Sequence, residues 1–251
     1  MGRPVPDDSA EHIQLFKDRI PSWYLRHGRA FSWREDLDPY RTLVVERMLH
    51  RTVARQVEPI YHAFLARYPT ISSLAAANPD EVSALLVPLG LRWRFASFIP
   101  MARRIVDQYS GQIPREMDDL LTLPGVGLYV ASAVKAFAYR DPVAVVDTNT
   151  IRVAGRYLRG VAWNGDQRKR KDVRDAVTCL LNLLQPAESN YGILDLGAMI
   201  CGPRDPACSQ CPVASGCRLG VQRLDISRPT DKQRLHNTAQ VATSATGRTA
   251  S

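Results

Sequence analysis

The chain has 251 residues and 28.0 kDa, room for one sizeable core or two small domains sharing a cleft. Lys and Arg total 33 against 25 Asp and Glu, a formal charge of +8, and 45% hydrophobic content excludes wholesale disorder. No apolar run approaches the ~20 residues of a membrane span, and residues 1–9 lack the apolar segment of a secretory signal, so a soluble, basic, cytoplasmic protein is expected.

Residues 1–10 read as a flexible lead-in. Helical spacing begins at Glu11–Arg26, where Ile13, Phe16, Ile20, Trp23 and Tyr24 share one face. Asp38-Pro39-Tyr40 opens a second helix whose apolar stripe is Leu43, Val44, Met48 and Leu49. Further helices are predicted at Val57–Arg67, Ile71–Ala77, Pro79–Leu86, Arg94–Tyr109, Met117–Leu123, Leu128–Tyr139 and Val173–Leu184. Pro69, Gly90, Gly111 to Pro114 and Pro124-Gly125 separate them. Strict alternation is confined to Pro142–Val146, so the fold is all-α. Residues 226–251 turn to Thr, Ser, Ala and Gln without an aromatic and read as a disordered tail.

The basic excess consists of 28 Arg and 5 Lys. Arginine suits bidentate phosphate contact, yet a GC-rich genome also favours it, so charge alone makes nucleic acid a candidate partner and nothing more. Asn164–Arg174 concentrates Arg168, Lys169, Arg170 and Lys171, either a solvated loop or a phosphate contact.

Three segments carry chemistry. In Leu123-Pro124-Gly125-Val126-Gly127, two glycines let the backbone turn tightly between helices and leave amides free at the next helix start, an anion site suited to a DNA phosphate. Val145-Val146-Asp147-Thr148-Asn149 ends an apolar run in an aspartate placed to cap a helix. Arg152 and Arg156 follow on that helix, spaced to face phosphates together. Cys201, Cys208, Cys211 and Cys217 have six, two and five residues between them. Four thiolates hold either a tetrahedral zinc or a 4Fe-4S cluster, and the spacing, with only one C-x2-C pair, favours iron–sulfur. Cys179, alone in an apolar stretch, reads as a structural thiol.

In this order the hairpin, Asp147 and the C-x6-C-x2-C-x5-C tail resemble the helix-hairpin-helix DNA glycosylase superfamily, from about Trp33 to Cys217. Phe31-Ser32-Trp33-Arg34, Asp38-Pro39-Tyr40, Val45-Glu46-Arg47-Met48-Leu49 and Asp195 to Cys201 read like its adenine-glycosylase branch. The resemblance implies two α-helical domains: a six-helix domain over 35–146, and a cluster domain from 11–34 with 147–225. Its partner is double-stranded DNA, bound by one monomer at the nucleoid, with the target base turned out into a pocket. Catalytic residues by this resemblance are Asp147, stabilising positive charge on the sugar, Glu46, handling a proton at the base, and Tyr129. Gly125, Val126, Gly127, His50, Arg51, Thr148, Asn149 and Arg152 are the implied DNA contacts.

Where the branch resembling endonuclease III carries a Schiff-base lysine, this chain has Tyr129, so base removal without strand cleavage is expected. Adenine glycosylases carry Gln-Gln-Thr after the pocket glutamate and a further C-terminal domain. Here His50-Arg51-Thr52 stands instead, and 34 residues follow Cys217. Both features resemble the thymine mismatch glycosylases of the same branch, so thymine or uracil opposite guanine is the expected target. Adenine opposite guanine or 8-oxoguanine is the alternative, and a DNA-binding module without catalysis the second.

Overall fold

Local signals set where many of the helices begin. Asp38 accepts from the Arg41 amide at 2.8 Å, with Pro39 in the first turn, and starts α2 (Pro39–Leu49), while α1 (Ser9–His27) precedes it. Thr70 and Ser73 cap α4 (Ile71–Ala75) reciprocally, and Asn78-Pro79 starts α5 (Pro79–Leu86). Between and after them run α3 (Ala54–Arg67), α6 (Phe98–Tyr109), α7 (Met117–Thr122) and α8 (Leu128–Ala133), the last continued by a π-helical turn over Val134–Ala138. The second half holds α9 (Thr148–Arg159), α10 (Lys171–Thr178), α11 (Pro186–Asp195) with a π turn at Leu196–Ile200, and α12 (Arg218–Leu224). This computed structural model describes residues 9–224 apart from 37, 51, 91 and 164–166. The predicted tail at 226–251 and most of the lead-in at 1–10 lie outside the described residues.

Two apolar clusters organise the chain. One gathers Leu43, Met48, Phe64, Phe98, Met101, Ile105 and Leu120 from α2, α3, α6 and α7. The other joins Phe16 and Ile20 of α1 to Ile151, Val173, Val177 and Ile193, so the two ends of the described chain share a core. A smaller set between them contains Ala136, Phe137, Val145 and Tyr191, the Phe137 and Tyr191 rings stacked at 3.8 Å.

The described residues contain no strand. The alternating run at Pro142–Val146 pairs with no strand, because the buried Asn190 side chain takes the place of a neighbouring strand. Its Oδ1 accepts from Val145 N at 2.8 Å and its Nδ2 donates to Val143 O at 2.9 Å. The helix predicted to reach Leu184 stops at Thr178, since the chain turns to bury Leu180 and Leu181 under α1 and α9. The start expected at Arg94 is a 3-10 segment over Arg92–Ser97, with α6 proper beginning at Phe98. Among the described residues no helix is long and apolar enough to cross a membrane.

Candidate active site

Helix α2 is buried from Thr42 to Met48 and carries Glu46 within that stretch, 2% exposed. Its Oε2 has no hydrogen-bond partner in the described protein. Burial pushes its carboxyl up to about 7, opposed by a hydrogen bond from Tyr129 and the charge of Arg34, and reinforced by the nearby Asp147. Tyr129 is the second residue of α8, and burial beside Glu46 and Asp147 raises its phenol well above 10. Glu46, Tyr129 and Asp147 thus meet within one electrostatic neighbourhood, although 83 and 18 residues of sequence separate them (46 to 129, 129 to 147).

Asp147 does double duty. As the cap of α9 its Oδ1 accepts from Thr150 N at 2.8 Å, while Oδ2 accepts from Asn149 Nδ2 at 2.9 Å. Burial raises this carboxyl and those bonds restrain the rise. Asn149 is fixed in turn by Arg152, whose Nη2 reaches Asn149 Oδ1 and Gly197 O, both at 2.7 Å. Close approach of the π turn to α9 requires Gly197, because a Cβ there would lie 2.7 Å from Asn149 Cβ.

Arg152 and Arg156 do not present a phosphate-facing pair. Arg152 Nε donates to Cys201 O at 2.8 Å, and the buried Arg156 donates to Gly202 O at 2.6 Å and Pro203 O at 2.8 Å. Both guanidiniums satisfy backbone carbonyls of the cysteine loop, which makes them internal clamps.

A cavity of about 790 Å³ opens beside Tyr129. Gly125, Val126 and Gly127 form one wall with His50 and Arg47, and Arg168, Lys169 and Arg174 stand among its other lining residues. Thr148 is exposed at the start of α9, and Arg51 lies outside the described residues. The sequence reading attached no role to Arg34 and Asp195, present only inside its family-like strings. Asp195 is fully buried and receives Arg34 Nη1 at 2.7 Å, Nη2 at 3.0 Å and the Arg29 amide at 2.7 Å. Burial pushes the Asp195 carboxyl up, but these bonds and charges outweigh it and hold it below its ordinary value. The fixed Arg34 then lies over the Tyr191 ring at 4.4 Å and acts on Glu46.

The four cysteines share the far end of α9. Cys211 senses the charges of Cys201, Cys208 and Cys217, and burial pushes its thiol up to about 12. Backbone amides of Val213, Leu219 and Gly220 donate to the Cys211 and Cys217 sulfurs, and Arg156 Nη1 is 3.3 Å from Cys201 Sγ. Among the described residues no group of three or more His, Cys, Asp or Glu side chains is placed to hold a metal ion. The donor set is all sulfur, surrounded by N–H donors and a guanidinium, which is the chemistry of a thiolate-ligated metal centre.

Comparison with known proteins gives a consistent result. Residues 45–178 match the family model described as HhH-GPD superfamily base excision DNA repair protein. A thymine-DNA glycosylase of Aeropyrum pernix is 37% identical over 82% of this chain and 94% of its own length. An adenine DNA glycosylase of Mycolicibacterium smegmatis is 40% identical over 78% of this chain and 67% of its own. The solved structure of a thermostable thymine-DNA glycosylase superposes with a TM-score of 0.78 at 29% identity, covering 86% of this chain and all of that one.

Proposed function

Because the chain belongs to the HhH-GPD superfamily of base excision DNA repair proteins, we propose that it hydrolyses the N-glycosidic bond of a mismatched thymine or uracil opposite guanine in double-stranded DNA. The convergence of Glu46, Tyr129 and Asp147 carries this reading. Departure of a base leaves positive charge on the sugar, and a preorganised carboxylate beneath it lowers that barrier. Asp147 is so prepared, with both oxygens held by Thr150 N and Asn149 Nδ2. Glu46, poised near neutrality, exchanges a proton with the leaving base or the incoming water. Gly125 to Gly127 seat a backbone phosphate, and His50 faces the same cavity from the end of α2.

Strand cleavage through an imine is not part of the proposal. Position 129 is a phenol, and Lys135 Nζ is engaged by Arg115 O and Asp141 Oδ2, both at 2.8 Å. The division into a first domain over 35–146, which holds the seven helices α2 to α8 where six were expected, and a second over 11–34 with 147–225 is supported by the two apolar clusters, with Trp33 packed in the first and Val146 in the second. Cys201, Cys208, Cys211 and Cys217 would hold a 4Fe-4S cluster, which when bound cross-links the loop that Arg152 and Arg156 clamp.

The thymine reading draws support from relatives matched along nearly their whole length. The 40% identical adenine glycosylase favours adenine as the second reading. Base release from duplexes carrying T·G, U·G, A·G, A·8-oxoguanine and matched pairs, with and without alkali, decides between them. T·G cleavage that needs alkali and disappears in Asp147→Asn is the expected result. Release confined to adenine substrates replaces the first reading with the second, and release from none of them removes both.

A further inference from the structure

Arg47 is the residue beside Glu46 on α2, and it is 6% exposed. Its Nη1 donates to Pro124 O at 2.7 Å, its Nη2 donates to Ser97 Oγ at 2.6 Å, and its guanidinium lies 4.6 Å over the Phe98 ring. Both bonds go to neutral oxygens and fix the guanidinium against the hairpin. The guanidinium lines the same cavity as Gly125, Val126 and Gly127.

Peptide geometry turns this contact into a constraint on the hairpin. Among the described residues no peptide bond is cis, and in a trans peptide the carbonyl and the next N–H point opposite ways. Drawing the Pro124 carbonyl toward Arg47 therefore turns the Gly125 N–H away from it. Gly125 is exposed, and among the described residues its amide has no backbone or side-chain partner. Glycine is required on two counts: φ is +74°, and a Cβ there would lie 2.3 Å from Arg47 Nη1 and 2.5 Å from Ser97 Oγ. Residues 47 and 125 are thus fitted to each other across 78 positions of chain (47 to 125).

We infer that Arg47 is a positioning residue for DNA docking: it orients the Gly125 amide for a backbone phosphate and backs that amide with positive charge. The inference rests on the DNA glycosylase reading and adds the device that couples the base pocket on α2 to the phosphate seat on the hairpin.

The test measures mismatched-duplex affinity against salt for the parent, Arg47→Met and Arg47→Lys, together with single-turnover base release at saturating enzyme. Arg47→Met is expected to bind about tenfold more weakly, as for a lost charge-assisted contact. Its log–log salt slope should shrink by about 0.9, one phosphate's worth. Release at saturation should stay within about twofold of the parent, the signature of lost binding rather than lost chemistry. Arg47→Lys should restore the slope but not the full affinity, since an ammonium cannot reproduce the two-pronged hold. Parent-like affinity and slope in Arg47→Met overturn the inference, whatever its Tm. Should Arg47→Met fail to fold, Ser97→Ala decides by the same readouts: weaker binding supports the inference and parent-like binding overturns it. A parent that binds no duplex at low salt removes the glycosylase reading and this inference together.

Discussion

Glu46 makes opposite contributions to stability and activity, and pH separates them. A carboxyl ordinarily at 4.5 and raised to about 7 in the fold stays protonated while its unfolded counterpart has ionised. Between those values the native state binds more protons than the unfolded state, so stability falls as pH rises. At about 1.4 kcal/mol per pKa unit the penalty is about 1 kcal/mol at pH 5 and about 3 kcal/mol at pH 8.5. Glu46→Gln removes the charge and keeps the shape, so it should be more stable than the parent by about 3 kcal/mol at pH 8.5 and by much less at pH 5. In urea this is a midpoint difference of roughly 1 M at the higher pH, for a denaturation slope of a few kcal/mol per M. The same variant should lose base release at every pH, because an amide exchanges no proton. A stability difference that is the same at pH 5 and pH 8.5 would refute the reasoning, since it would mean that Glu46 does not titrate differently in the folded chain.

Other consequences follow from the same geometry. Tyr129→Phe removes the hydrogen bond that holds Glu46 down, so the Glu46 limb of the kcat/KM profile should move up by about one pH unit. An unmoved limb would separate the two groups. Asn190→Ala leaves Val143 O and Val145 N without their partner, a loss of about 2–4 kcal/mol in chemical denaturation. Arg152→Met frees Asn149 and Asp147 from their support, so kcat should fall about tenfold with duplex affinity unchanged, as for an interaction felt only in the transition state. Weakened affinity instead would return Arg152 to the phosphate-contacting role its sequence position suggests.

Signals that act within one helical turn were legible in the sequence. Asp38-Pro39, Asn78-Pro79 and Asp147 with Thr150 start their helices as side-chain chemistry dictates, because each cap and its amide lie two or three residues apart. The motif order also marked Glu46, Tyr129 and Asp147 as one site, through resemblance and not through any local property of glutamate or tyrosine. Local reasoning misjudged groups whose partners arrive from elsewhere. The Pro142–Val146 alternation has the pattern of a strand, but the Asn190 side chain takes the hydrogen bonds another strand would have taken.

Arginine marks this boundary most clearly. Arg152, Arg156, Arg34 and Arg47 are alike in sequence, each a basic residue in or beside a motif. Tertiary structure gave two of them the cysteine-loop carbonyls 46–49 residues away, one a buried aspartate 161 residues away, and the last the hairpin carbonyl 77 residues away. The sequence by itself determined the helical class, the caps and the inventory of reactive groups, since those depend on residue type and on neighbours within a turn. Only the tertiary structure decided which charges are buried, which donors are already used and how far Glu46 departs from an ordinary carboxyl. Desolvation and hydrogen-bond satisfaction depend on what the rest of the chain packs around a group.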